Sequence, residues 1–373
     1  MTNRERALNI LSYKPVDRMP AVHFGYWNEL VHEWADQGHI SRDIADNWGD
    51  GNAADLELNK KLGWDFGWQC MAGTNNNLNP WFEYKVLERL PDGVIRYQSH
   101  TGIIEKKVEG VVSIPAEDDY LLKDRKAWEE LYLPKLQFTK DRINPEWIKG
   151  YIDERGDENI RALHMGSVLG SIRDMVSVMG MSYLLCDDYE LFGEIIDTYA
   201  DLQYKCAEEA LKLGYKFDVA HFWEDICFKN GPLISPTMFE DLCAKHYKKR
   251  TDLCRKYGIE IISLDCDGCI DKLLPIWLEN GVNTMFPIEV GTWNACIEPW
   301  RKQYGKKLLG VGGMDKTVLR KDKAAVDAEL KRIKPLIDLG GYLICPDHRI
   351  MPGSKWELVQ YYCDTIKTWK PSY

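Results

Sequence analysis

The stretch Ile259-Glu260-Ile261-Ile262-Ser263-Leu264-Asp265-Cys266-Asp267-Gly268-Cys269 decides how this chain reads. Its apolar run reads as a β-strand that ends in carboxylates and then a glycine. Strand side chains alternate between faces, so Asp265 and Asp267 point one way and Cys266 the other. Two acids side by side at a strand end repel each other. That is costly unless a cation, a shared proton or a basic substrate lies with them. The strand end is therefore a candidate site.

The same unit recurs on both sides of it. The patterning predicts strands over residues 217–223, 259–265, 283–288, 307–312 and 341–345. Helices are predicted over 236–257, 270–280, 295–304, 322–338 and 354–368. Ser235-Pro236 reads as a helix start, with serine at the N-cap and proline at the first helical position. Upstream, residues 19–25 and 159–165 read as strands, 27–37 as an amphipathic helix, and 171–213 as a long helical region broken near Gly180 and at Asp187-Asp188. Strands alternating with helices through short loops imply parallel strands with right-handed crossovers. Five such units in series, plus the earlier strands, predict an α/β fold of the (β/α)8 TIM-barrel type rather than an open sheet. Gly310-Val311-Gly312-Gly313 lacks the spacing and the following acid of a dinucleotide fingerprint. An Asp92-Gly93 turn, residues 94–97, Thr101-Gly102 and Ile103-Ile104 predict a β-hairpin. It falls in an N-terminal insertion over about 46–125. No linker is visible, so residues 1–373 read as a single domain.

Composition narrows the function classes. Of 373 residues, 45% are apolar and 28% charged, which is ordinary for a globular chain. A net charge of −10 argues against nucleic acid as a partner and against a basic membrane-binding patch. No run of about 18 apolar residues exists to span a membrane, and the start Met1-Thr2-Asn3-Arg4-Glu5-Arg6 has no signal-peptide core. A cytoplasmic location is the expectation. Eleven scattered cysteines, an odd number, suit reduced thiols better than a disulfide framework. Cys266 and Cys269 form a lone CxxC, too little for a four-cysteine zinc knuckle.

Barrel enzymes place their chemistry at the C-terminal ends of the strands. Here those ends carry His23; His164; His221 with Glu224 and Asp225; Asp265 and Asp267; Glu289; Asp315; and Asp347 with His348. Each has a plainer reading. Asp267 also reads as a cap for the next helix. Glu224 and Asp225 also read as partners for rim cations, the histidines as core residues, and Glu289 and Asp315 as structural. Their recurrence on successive strand ends favours a site. Trp27, Trp48, Trp64, Trp68 and Trp81 crowd the N-terminal part, where a lid over the barrel mouth is expected. Aromatic walls there suit an aromatic or quaternary-amine ligand.

At these residues the chain resembles the uroporphyrinogen decarboxylase superfamily. The segments that carry the resemblance are RERALNILSYKPVDRMP at 4–20, EDICFKNGPLISPTMFEDLCAKHYKK at 224–249 and DCDGCIDKLLPIWLENGVNTMFPIE at 265–289. GVGGMDKTVLRKDKAAVDAEL at 310–330 and GGYLICPDHRIMPGS at 340–354 extend it over nearly the whole chain. The resemblance implies a (β/α)8 barrel and sets two activities in competition. Decarboxylation of uroporphyrinogen goes with an N-terminal segment of the type RQAGRY, whose arginines hold eight carboxylates. Here the corresponding strand end is His23-Phe24-Gly25-Tyr26-Trp27, without arginine, and acids at the rim would repel such a substrate. The other activity is methyl transfer to or from a corrinoid carried by a partner protein.

Corrinoid methyltransferases of the superfamily look like zinc proteins, with ligands in a His-x-Cys-Gly strand end and a late Gly-Cys segment. Here Asp265-x-Asp267-Gly268 and Pro346-Asp347-His348 stand in those places. Soft thiolate ligands favour thiol activation, whereas acids suit an oxygen-bound substrate. The resemblance thus implies a methyltransferase that takes a methyl group from a small donor, in the first instance a methoxylated aromatic compound. A methylcorrinoid:thiol methyltransferase and the decarboxylase are the alternatives. The metal-ligand candidates are Asp265, Asp267 and His348, with Glu224 as a further one, and zinc as the metal. The catalytic candidates are Glu224, Asp265, His164 and His221. Substrate contacts are expected from His23, Tyr26, Trp27 and Glu289. The expected partners are the methyl donor and a corrinoid-binding protein. A homodimer is a further expectation.

Overall fold

A computed structural model describes residues 1–108 and 115–373. Eight short strands run parallel around a barrel: β1 (Val22–His23), β2 (Phe66–Gly67), β3 (Ala162–Gly166), β4 (Val219–Trp223), β5 (Ile261–Asp265), β6 (Thr284–Ile288), β7 (Leu309–Met314) and β8 (Tyr342–Pro346). The last six form one sheet in the order β8-β7-β6-β5-β4-β3. β1 pairs with β2. Parallel bridges Ala72–Leu163 and Tyr26–Ile350 join that pair to the two edges of the six-stranded sheet and close the ring. The (β/α)8 barrel read from the sequence is the fold.

The strands are apolar on both faces because helices cover the outside and side chains fill the inside. In β5, β6 and β8 every residue is buried. Phe222, Leu264, Phe286 and Ile344 lie inside the core, where each large apolar side chain contributes about 1.5–3 kcal/mol. Helices Pro236–Phe239 and Lys245–Lys256, joined by a wide turn at Glu240–Ala244, lead from β4 to β5. Ser235 caps their start, accepting from Met238 N–H at 3.2 Å, with Pro236 behind it.

The structure corrects several boundaries. β1 is only two residues long, because Pro20 has no N–H to pair and Gly25 turns the chain with φ +125°. β2 lies inside the range assigned to an insertion, so that range is partly barrel. Its Gly-Trp-Asp-Phe-Gly-Trp sequence shows no strand periodicity. The inserted element is a four-stranded antiparallel sheet of Lys85–Arg89, Val94–Gln98, Ile103–Val108 and Ala116–Tyr120, taken in sequential order. Its middle pair is the expected hairpin. Residues 109–114 of the range lie outside the described residues. The long helical region is two helices, Gly170–Asp187 and Tyr189–Lys212, and its first kink falls at Ser177 (φ +64°) rather than at Gly180. The helix after β5 begins only at Leu274, so Asp267 is too far away to cap it.

No helix among the described residues is long and apolar enough to cross a membrane.

Candidate functional site

β4 and β5 pair in parallel with Asp265 opposite Trp223. The residues two beyond each partner, Asp225 and Asp267, are therefore brought side by side at the barrel mouth. Asp225, Asp265 and Asp267 each offer a carboxylate oxygen, and these oxygens lie within 4.8 Å of one another. They open on a cavity of about 240 Å³.

The turn that presents Asp267 needs its glycine. Gly268 has φ +88°, and a Cβ there would stand 2.4 Å from the carbonyl oxygen of Cys227. Asp225 itself has φ +49°, a left-handed conformation that Asp tolerates better than most residues. Its Oδ1 accepts from the Asp267 N–H at 3.0 Å. Asp265 accepts from the Gln69 side chain. His348 Nε2 lies 3.0 Å from Asp267 Oδ2. The His348 ring stacks on Phe24 at 4.8 Å, and Trp27 stacks farther off at 6.2 Å. Cys266 is buried on the other side, its thiol directed at a backbone carbonyl, as strand alternation requires.

Burial is the main force on this cluster, with like charge second. Burial and then Asp225 and Asp267 push the Asp265 carboxyl well above the ordinary range. Burial and then Asp267 push Asp225 up to about 7. Arg349, the one Arg or Lys among the described residues that line the cavity, is committed to Asp50 through two bonds of 2.9 and 2.6 Å.

His164 and His221 line the same cavity, their ring centroids 6.3 Å apart. Burial, with a smaller contribution from Arg250, takes His164 down to about 4. Burial and then His164 take His221 down to about 3. Both are neutral imidazoles near pH 7. His164 Nδ1 accepts from Gly166 N–H at 3.1 Å, whereas neither ring nitrogen of His221 has a hydrogen-bond partner among the described residues.

Other expected site residues are held elsewhere. Glu224 is fully buried and does not line the cavity. Its oxygens accept from Ser167 Oγ and from the amides of Val168, Leu169 and Gly170. Tyr247 OH donates to it as well, at 2.5 Å. It satisfies amides at the start of helix Gly170–Asp187 that have no partner within the helix, a structural task. Glu289 accepts from Gly268 N–H at 2.5 Å and from Thr292 Oγ1 at 2.7 Å, so it fixes the turn beneath Asp267. Burial and then Asp267 raise its carboxyl too. His23 packs between Tyr26 and Trp64 against Gly67, and Tyr26 donates to Asn59 at 3.1 Å; both are buried away from the cavity. Asp315 caps a short 3-10 turn at Lys316–Arg320, and Asp347 accepts from the amides of Gly291 and Lys316. Gln69, Arg349 and Trp223 were not picked out from the sequence; only Arg349's place beside His348 could have pointed to one of them.

The donor set fits a divalent cation. Among the described residues three carboxylates converge, Asp267 Oδ1 is buried without a hydrogen-bond partner, and no thiolate joins them.

A likeness to one solved structure agrees with the barrel. Over its full length the chain superposes on a methyltransferase from Methanosarcina mazei with a TM-score of 0.62 at 16% identity, covering 99% of each chain. A Listeria monocytogenes protein described as a vitamin-B12 independent methionine synthase gives a TM-score of 0.44 at 12% identity, covering 95% of this chain and 98% of that one. No curated protein matches the chain significantly. The family model described as uroporphyrinogen decarboxylase (URO-D) matches residues 169–369, more than half of the chain and the part that supplies β4 to β8, five of the eight barrel strands. The chain belongs to the uroporphyrinogen decarboxylase family.

Proposed function

We propose that the protein is a methyltransferase that takes a methyl group from a small methylated donor, a methoxylated aromatic compound in the first instance, and passes it to the reduced corrinoid of a partner protein. The observation that carries this reading is the compact acid-lined cavity at the barrel mouth. At about 240 Å³ it lies below the usual 300–1,000 Å³ of ligand pockets and suits a small donor. The same size and charge argue against the octacarboxylate tetrapyrrole for which the family is named. The lack of a thiolate in the cluster argues against the thiol-methylating alternative.

Methyl ethers react poorly because an alkoxide or phenolate leaves badly. The corrinoid supplies the strong nucleophile that accepts the methyl group. This chain must bind the donor and bring positive charge to the leaving oxygen as the carbon–oxygen bond breaks. The cluster of Asp225, Asp265 and Asp267 attracts that charge, as a proton or as a cation. A divalent cation held there would polarise the oxygen. Phe24 and Trp223 give the donor ring apolar contact, and the neutral His164 and His221 present ring nitrogens without adding charge.

The test is incubation with a reduced corrinoid protein and a panel of methoxylated compounds. The corrinoid absorbance is expected to change with at least one donor, together with release of the demethylated alcohol. No change with any donor overturns the reading. Carbon dioxide release from uroporphyrinogen would replace it with the decarboxylase.

A further inference from the structure

Three carboxylates share the mouth of the barrel, yet the neighbouring cations are turned to other partners. Arg349 is held by Asp50. Arg173 is held by Asp174 at 2.7 Å and by the backbone oxygen of Asp225. His348 faces only Asp267 Oδ2, and Gln69 brings no charge to Asp265. Asp267 Oδ1 is buried with no hydrogen-bond partner among the described residues. A second feature points to a ligand independently of the acids. His221 is 1% exposed, lines the same cavity, and has no hydrogen-bond partner for either ring nitrogen among the described residues. A buried imidazole left so is costly unless something enters the cavity to meet it.

We propose that this cavity binds a hard divalent cation of the magnesium or manganese class, held by Asp225, Asp265 and Asp267, with Asp225 taking the place that chain order would give to His348. The donor chemistry sets the class. Carboxylate oxygens suit magnesium and manganese, whereas thiolates select zinc, and no cysteine joins this cluster. The geometry sets the ligand. The register of β4 and β5 brings Asp225 into the cluster. His348, stacked on Phe24 and 3.0 Å from Asp267 Oδ2, is a positioning residue that orients Asp267. The inference rests on the reading of this cavity as the methyl-transfer site for its purpose, but its test does not.

The test uses the full chain stripped with chelator and titrated with manganese chloride, followed by the electron paramagnetic resonance of free Mn²⁺. Magnesium and zinc chlorides serve as competitors. One Mn²⁺ per chain is expected, displaced by magnesium. Asp225→Asn is expected to weaken binding about 100-fold or more, and His348→Gln about 10-fold, the cost of losing an orienting partner. Circular dichroism checks that each variant folds. The competition on the unaltered chain tests the ion class even if a variant fails that check. Absence of Mn²⁺ binding, failure of magnesium to displace bound Mn²⁺, normal binding by folded Asp225→Asn, or a greater loss in His348→Gln than in Asp225→Asn overturns the proposal. Mn²⁺ binding without methyl transfer leaves this site standing and removes the proposed function instead.

Discussion

The backbone N–H of Asp267 donates to Asp225 Oδ1 at 3.0 Å, so the loop after β4 and the turn after β5 are tied through one of the acids whose charges they crowd together. In metal-free protein that crowding opposes folding. Asp225→Asn keeps an oxygen for the Asp267 amide, tolerates φ +49°, and removes a like charge. Calorimetry in chelator at about pH 8 is expected to show it more stable by about 1–2 kcal/mol. With manganese added, the order should reverse. A lower Tm in chelator would contradict this account of the cluster.

Glu224 stands next to Asp225 in sequence and does a different job. It accepts from three consecutive amides, Ser167 Oγ and Tyr247 OH in a fully buried place. Glu224→Gln would turn an amide NH₂ against these donors. Urea unfolding is expected to show a loss of about 2–4 kcal/mol, while the folded fraction still binds manganese. Unchanged stability with lost ion binding would return Glu224 to the site.

His164 makes the fold sensitive to acid. Burial, then Arg250, holds it down to about 4, against about 6.5 in an unfolded chain. Between those values the unfolded chain binds a proton that the folded chain does not. Stability from this group is therefore full above about pH 6.5, falls as pH drops through the window, and is lost below about 4. The loss is about 3 kcal/mol, from about 2.5 pKa units at about 1.36 kcal/mol each. Urea unfolding at about pH 7 and pH 4.5 should give a smaller difference for His164→Gln than for the unaltered chain. Equal differences would rule the histidine out as the source.

Gly268→Ala tests the turn. Its φ of +88° and the 2.4 Å approach to the Cys227 carbonyl oxygen leave no place for a methyl group. A destabilisation of about 2 kcal/mol or more is expected, with weakened manganese binding because Asp267 moves with the turn. Binding equal to that of the unaltered chain would show that the turn yields without disturbing the acid.

Strand ends are legible from sequence because strand alternation is local. Asp265 and Asp267 were placed on one face, and Cys266 on the other, from residue order alone, and their side chains lie so. β2 was not legible, because two residues between tryptophans carry no period; its pairing with β1 makes it a strand. His23 and Tyr26 sit near a strand end in chain order, yet their rings turn into packing with Trp64 and Trp34. Side-chain direction at a two-residue strand depends on neighbours far along the chain.

The sequence by itself determined the barrel and the row of acids at its mouth, because apolar runs and helical periods express local backbone physics. The tertiary structure decided which acids act together. Glu224 and Asp225 are adjacent, but partners more than fifty residues away claim Glu224, and the register of β4 against β5 delivers Asp225 to Asp265 and Asp267. A buried carboxylate goes where its hydrogen-bond donors or its counter-charge are, and those come together only when the barrel closes.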